Sequence, residues 1–114
     1  MNSPSFDPKD FSFHDAWIEH VSVGPRREIS FKLELGSARI SDSRLPQVGI
    51  LRLGGIEEME SVSPKFARLS DDSRIDEIQF SFCSQSRLHR LRFVLDPHGT
   101  QEICCSKVTF TTVE

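Results

Sequence analysis

The stretch that decides the fold is Ile29-Ser30-Phe31-Lys32-Leu33-Glu34-Leu35. Apolar residues occupy every second position and polar residues fill the gaps, which is the pattern of a β-strand with one buried and one solvated face. Similar alternation returns in two later segments, Ile78, Phe80 and Phe82, and then Leu91, Phe93 and Leu95. These segments predict a mainly β protein.

Turn residues divide the alternating segments into six predicted strands. Gly24-Pro25 ends a first strand from Trp17 to Val23, although Phe11 to Val23 also has the spacing of a short helix. Short connections predict hairpins between strands one and two, four and five, and five and six. Sequential hairpins give an antiparallel six-stranded sheet, which we expect to be rolled up or folded into a small sandwich.

The alternation stops between residues 56 and 72, where we expect a helix. Ser63 is a suitable N-cap, and Pro64 is favoured at the first helical position because its missing N–H has no partner there. The pattern predicts one short helix near 63–70. The fold class is therefore mainly β with a small α component.

The last alternating segment changes phase. Ile103 and Cys105 share one face of a strand, whereas Val108 and Phe110 occupy the opposite phase. A regular strand cannot shift by one residue without exchanging its faces. The phase change therefore predicts a β-bulge near Ser106-Lys107.

Length and composition indicate one ordinary domain. The chain has 114 residues, of which 37% are hydrophobic, and we divide it into a flexible tail (1–11) and a single β-rich domain (12–114). The net charge of −3 disfavours general nucleic-acid binding. Because there is neither an apolar signal core nor a run of roughly 20 apolar residues, we expect a cytoplasmic protein that does not enter a membrane.

Reactive residue types do not form a catalytic or metal-binding motif. The three cysteines are an odd number, and adjacent Cys104 and Cys105 point to opposite faces of a strand. His14 and His20 are too far apart on either a strand or a helix to share an ion. With neither a nucleophile elbow nor a phosphate loop, we expect a protein that is not an enzyme and uses no cofactor or metal.

Charge and one aromatic residue indicate where a partner would bind. The segment from Glu57 to Glu77 holds seven acidic and three basic residues, which either keep the surface solvated or attract a basic partner. Trp17 is a natural binding anchor if exposed and a core residue if buried, and the sequence leaves this open. The candidate partner-binding residues are Trp17, Glu57, Glu58, Glu60, Asp71 and Asp72.

Three short motifs resemble a known group of proteins. They are Phe13-His14-Asp15-Ala16, Leu51-Arg52-Leu53-Gly54-Gly55-Ile56, and Cys105-x-x-Val108-x-Phe110. The chain resembles small bacterial proteins with a Phe-His-Asp-Ala start, some of which are immunity proteins of polymorphic toxin systems. The resemblance implies a protein that neutralises a toxin by stoichiometric binding.

The resulting prediction is a small cytoplasmic protein-binding domain, monomeric or homodimeric, with a protein partner such as a basic toxin domain. Two alternatives stay open. One is a β-roll that binds a small ligand in a pocket lined by Phe80, Phe82 and Phe93. The other is a homo-oligomeric structural protein that pairs its exposed strand edges.

Overall fold

The computed structural model describes residues 5–6, 13, 16–24, 26–34, 48–67, 73–96 and 99–113. Within these ranges the secondary structure is dominated by strands that pair antiparallel in one sheet. In chain order the elements are β1 (Ser5–Phe6), β2 (Ala16–Gly24), β3 (Glu28–Glu34), β4 (Val48–Gly54), α1 (Met59–Ala67), β5 (Ser73–Cys83), β6 (Leu88–Asp96), β7 (Gly99–Cys105) and β8 (Lys107–Val113).

The strand order is β1-β8-β4-β3-β2-β5-β6-β7. The three predicted hairpins are confirmed as the pairs β2–β3, β5–β6 and β6–β7. The predicted number of six strands is wrong, because seven strands of seven or more residues are present together with the two-residue β1. β1 pairs with β8, and the other residues of the predicted 1–11 tail lie outside the described ranges.

The phase change around Ser106 is not a bulge, so this prediction is wrong. β7 ends at Cys105 and pairs with β6, whereas β8 begins at Lys107 and pairs with β4. The Ser106 N–H donates to the Gly54 carbonyl oxygen at 3.1 Å and so anchors the crossing. The phase of the inward-facing residues therefore changes at Ser106, because the chain leaves β7 at one edge of the sheet and enters β8 near the opposite edge.

This crossing requires the sheet to curve. β3 and β6 are separated by β2 and β5, so in a flat sheet their residues would lie about 14 Å apart. The rings of Phe31 on β3 and Phe93 on β6 instead have centroids 5.3 Å apart. A single sheet that curls around its own apolar face explains both observations.

Two bulges lie where the sequence analysis did not place them. The β2–β3 register shifts between Ile18 and His20, and the β5–β6 register shifts between Ile75 and Glu77. Each shift brings residues three apart to the same face, as with Ile18 and Val21, which are both buried. In the sequence, these bulges are indicated only by pairs of apolar residues three positions apart inside an alternating segment.

The helix begins earlier than predicted. α1 runs from Met59 to Ala67, so Ser63 is not its N-cap and Pro64 is not at its first position, and both predictions are wrong. The Val62 N–H donates to the Glu58 carbonyl oxygen at 3.1 Å, which starts the helix at the preceding turn. Phe66 is buried against Phe31 and Phe93. This packing stabilises the helix despite the backbone bond that Pro64 removes.

Candidate functional site

Trp17 lies on the outer face of the curved sheet, near the start of β2. Its neighbours in the chain, Ala16 and Ile18, are buried, whereas the Trp17 side chain is 46% exposed. Its cross-strand partners are Glu34 on β3 and Arg74 on β5. Of the two alternatives that the sequence left open, the structure therefore shows the exposed one.

The surroundings of Trp17 are charged and fixed. The Arg74 guanidinium lies 3.1 Å from a carboxylate oxygen of Asp76 and 3.1 Å from one of Asp96. The ion pairs hold Arg74 on the sheet beside the indole. Trp17 is thus a large apolar group with hydrogen-bonding and charged neighbours, which is the composition of a binding hot spot and its polar surroundings.

The acidic candidates occupy a different place. Glu57 and Glu58 form the turn before α1, Glu60 lies in its first turn, and all three are exposed. The Glu57 N–H donates to the Cys104 carbonyl oxygen at 2.9 Å, and its carboxylate lies 4.0 Å from Arg27. Asp71 and Asp72 lie outside the described residues.

Trp17 and the acidic turn are at opposite ends of β2. Arg27, which lies near Glu57, comes three residues after the end of this strand. The seven residue steps from Trp17 to Gly24 span about 23 Å at the usual strand rise. The structure therefore separates the predicted partner-binding residues into two surfaces, one around Trp17 and one around Glu57, Glu58 and Glu60.

The basic segment around β6 is partly neutralised. Arg87, Arg90 and Arg92 are exposed, and Arg90 lies 3.8 Å from Glu102 across the strands. A hydrogen bond from Arg90 to Cys104, together with the charges of Cys104 and Glu102, raises the pKa of Arg90 above its usual value. Arg90 therefore stays protonated, and the neighbouring Glu102 carboxylate offsets part of the positive charge of this segment.

The three thiols are free and differ in their surroundings. Cys83 is exposed at the end of β5, where hydrogen bonds from Ser86 lower the pKa of the thiol. Cys105 points into the core, and burial raises the pKa of its thiol to about 11. Cys104 is half-buried. The predicted opposite orientation of Cys104 and Cys105 is consistent with this difference in burial.

The phenylalanines of the alternative ligand pocket do not share one environment. Phe93 is fully buried in the core, and Phe80 packs partly buried with its ring centroid 6.1 Å from that of Phe13. Phe82 is 49% exposed and lies 4.8 Å from the His89 ring. This arrangement gives the aromatic-pocket alternative no support.

A polar depression that the sequence patterns did not indicate lies on the outer face of β3, β4 and β8. It has a volume of about 140 Å³ and is lined by Glu28, Ser30, Arg52, Leu53, Gly54, Lys107 and Thr109. Its polar side chains lie at outward positions of three strands, where sequence patterns indicate only solvation. Gly54 at the end of a strand was the one local signal, because a strand glycine often marks a close approach or an opening.

The described part of the chain contains no group of three or more histidine, cysteine, aspartate or glutamate residues that would hold a metal ion. His14, Asp15 and His98 lie outside that part. Among the same residues, no helix has the length and apolar character to cross a membrane.

Comparisons with known proteins do not extend this description. No protein-family model matches the chain, no curated protein matches it, and no solved structure matches its fold. The resemblance to immunity proteins therefore stays a prediction from the three motifs. The candidate sites rest on the geometry of the chain itself.

Proposed function

We propose that this chain is a protein-binding domain whose main contact surface is centred on Trp17. The observation that carries the proposal is the 46% exposure of Trp17 near the start of a strand that is paired on both sides. Tryptophan is enriched among the residues that dominate binding energy, since its large ring buries much apolar area with few rotatable bonds.

The backbone beneath Trp17 supports such a role. At this position β2 pairs with β3 on one side and with β5 on the other, and Arg74 next to the ring is fixed by two carboxylates. A side chain on a doubly paired strand is already ordered before the partner arrives. Less conformational entropy is then lost on binding than for a residue in a loop.

The immunity-type function is the more specific form of this proposal. It draws on the resemblance of the three motifs and on the exposed carboxylates of Glu57, Glu58 and Glu60, which would attract a basic toxin domain in the cytoplasm. Because the acidic turn is about 23 Å from Trp17 along β2, we assign it to steering and to a peripheral contact. Inhibition by stoichiometric binding needs only a surface of about 800 Å² on each partner.

The test compares three tagged proteins in quantitative capture from the host lysate: the unmodified chain, Trp17→Ala and Phe82→Ala. Phe82 is the matched control because it is a similarly exposed aromatic residue on another strand. We expect one stoichiometric partner that the unmodified chain and the Phe82→Ala variant retain. Trp17→Ala should weaken its binding by about 30-fold, since hot-spot truncations cost about 2 kcal/mol or more.

The purified partner then gives a direct measurement. Trp17 is the single tryptophan and the chain has no tyrosine, so a partner that lacks tryptophan can be titrated by following the emission of this one residue. We expect a blue shift on binding and, for a Glu58→Lys variant, slower association at low salt. Equal affinity of Trp17→Ala and the unmodified chain would refute the proposed contact surface.

A further inference from the structure

The depression over Gly54 has the geometry of a small binding site on the same outer face of the sheet as Trp17, but at the opposite end of β3. Gly54 ends β4 and pairs with Lys107 on β8, and Glu28 on β3 lines the opposite side. One row further along the strands, Ser30, Arg52 and Thr109 are direct cross-strand partners. Three strands therefore contribute polar side chains to one opening.

The opening exists because Gly54 has no side chain. A Cβ built at this position would meet only the Cβ of Lys107, at 3.7 Å, which is an ordinary contact distance. The two flanking strands lie two strand spacings apart, about 9–10 Å. A substitution at Gly54 can therefore fill the depression without a collision with the backbone.

Hydrogen-bond donors dominate this opening. Among the described residues, neither Arg52 nor Lys107 forms an ion pair, and the hydroxyls of Ser30 and Thr109 lie on either side of Arg52. Two cations without a counterion next to two hydroxyls favour an anionic ligand.

The one acid in the lining, Glu28, points away from Gly54. The Oε2 atom of Glu28 lies 3.6 Å from the position of a Cβ on Gly24, so this oxygen leans towards β2, and Gly54 lies on the other side of β3. Glu28 still adds negative potential at the rim. That potential disfavours a polyanion such as nucleic acid, which would have to pass over it.

We propose that this depression binds the phosphate group of a small phosphomonoester. The volume of about 140 Å³ is below the 300–1,000 Å³ typical of pockets for whole drug-sized ligands, so a single charged group fits better than a large molecule. Donors from three strands suit a tetrahedral oxyanion with several acceptor oxygens. A planar carboxylate would need only the fork of Arg52.

The experiment is a titration of the full chain followed by amide chemical shifts, with inorganic phosphate and glucose 6-phosphate as probes. Glucose, sodium acetate and sodium chloride are added at matched ionic strength as references. We expect saturable shifts at Ser30, Gly54 and Thr109 with both phosphates, in the millimolar range, and unsaturated or absent changes with the references. The outer face of β6 should not respond.

Two variants separate binding from folding. Gly54→Val fills the opening and should abolish the saturable shifts while the melting temperature stays the same or rises, because valine favours strands. Arg52→Gln should weaken phosphate binding at least tenfold. The matched control is Arg92→Gln, which makes the same substitution at an exposed outward position of β6 and should leave binding unchanged.

Several outcomes would overturn the proposal. Shifts that persist in Gly54→Val, that fall equally in Arg92→Gln, or that sodium chloride reproduces would show that the depression is not the site. Equal binding of acetate would replace phosphate by carboxylate as the ligand group. Binding of inorganic phosphate without glucose 6-phosphate would refute the phosphomonoester assignment. If Gly54→Val does not fold, the comparison of Arg52→Gln with Arg92→Gln still decides.

Discussion

Gly49 and Gly54 lie on the same strand, and a methyl group added to each should change stability in opposite directions. A Cβ on Gly49 would lie 2.5 Å from Cζ and 2.6 Å from Cε1 of Phe110, which is fully buried. The ring cannot move freely, since its edge-to-face partner Phe13 lies 5.0 Å away. A Cβ on Gly54 meets only one atom, at 3.7 Å.

The magnitudes follow from two opposing effects. Replacing glycine by alanine restricts the unfolded chain and stabilises by about 0.4–1 kcal/mol where the backbone allows it. Overpacking in a core costs about 1–3 kcal/mol. Gly54→Ala has only the stabilising effect. In Gly49→Ala the cost of overpacking exceeds this stabilisation, for a net loss of about 1–2 kcal/mol. At this chain length the loss corresponds to a melting temperature about 4–8 °C lower.

Urea unfolding of both variants, followed by circular dichroism, measures these free energies. A double variant, Gly49→Ala with Phe110→Leu, tests the cause, because removing the ring should relieve the collision. The double variant should then be more stable than the sum of the two single changes, by a coupling energy of about 0.5–2 kcal/mol. Additive effects, or a Gly49→Ala variant as stable as the unmodified chain, would refute the reasoning.

Two further predictions concern thiols and the turn after β4. At neutral pH, iodoacetamide should modify Cys83 first, because this thiol is exposed and its pKa is lowered. Cys105 should react only on unfolding, because its thiol is buried and has a pKa of about 11. Peptide mass spectrometry resolves the order of labelling, and early labelling of Cys105 would contradict the prediction. Gly55→Ala should cost about 1–2 kcal/mol, because Gly55 has a φ of 64° and the Ser106 hydroxyl would have to rotate away from the added Cβ. Gly99→Ala is the matched control, with a φ of 79° and open space around it, and should cost only about 1 kcal/mol in the same urea assay.

The parts of the fold that sequence predicts are those encoded locally. The alternation from Ile29 to Leu33 is reproduced as buried inward residues on β3, and the three hairpins form where turn residues join adjacent strands. A period of two and a short turn both act within about ten residues. Neither depends on where the rest of the chain lies.

Trp17 shows where local patterns stop being sufficient. Ala16 and Ile18 are buried on either side of it, so alternation alone would place the indole outside. The register shift just after Ile18 then brings Val21 to the inner face. This shift interrupts the alternation of buried and exposed residues that would predict the orientation of Trp17. A bulge is fixed by pairing with a neighbouring strand, which a single sequence does not show.

The Ser106 crossing has the largest consequence for function. A phase change between Cys105 and Lys107 fits equally a bulge in one strand or a passage between two sheet edges, and only the curvature of the whole sheet decides between them. Because the chain crosses, Lys107 comes to lie beside Gly54, more than fifty residues earlier in the sequence. The polar depression is therefore a product of topology: none of its three strands holds more than two of its polar side chains, and the site forms only when the curved sheet aligns them.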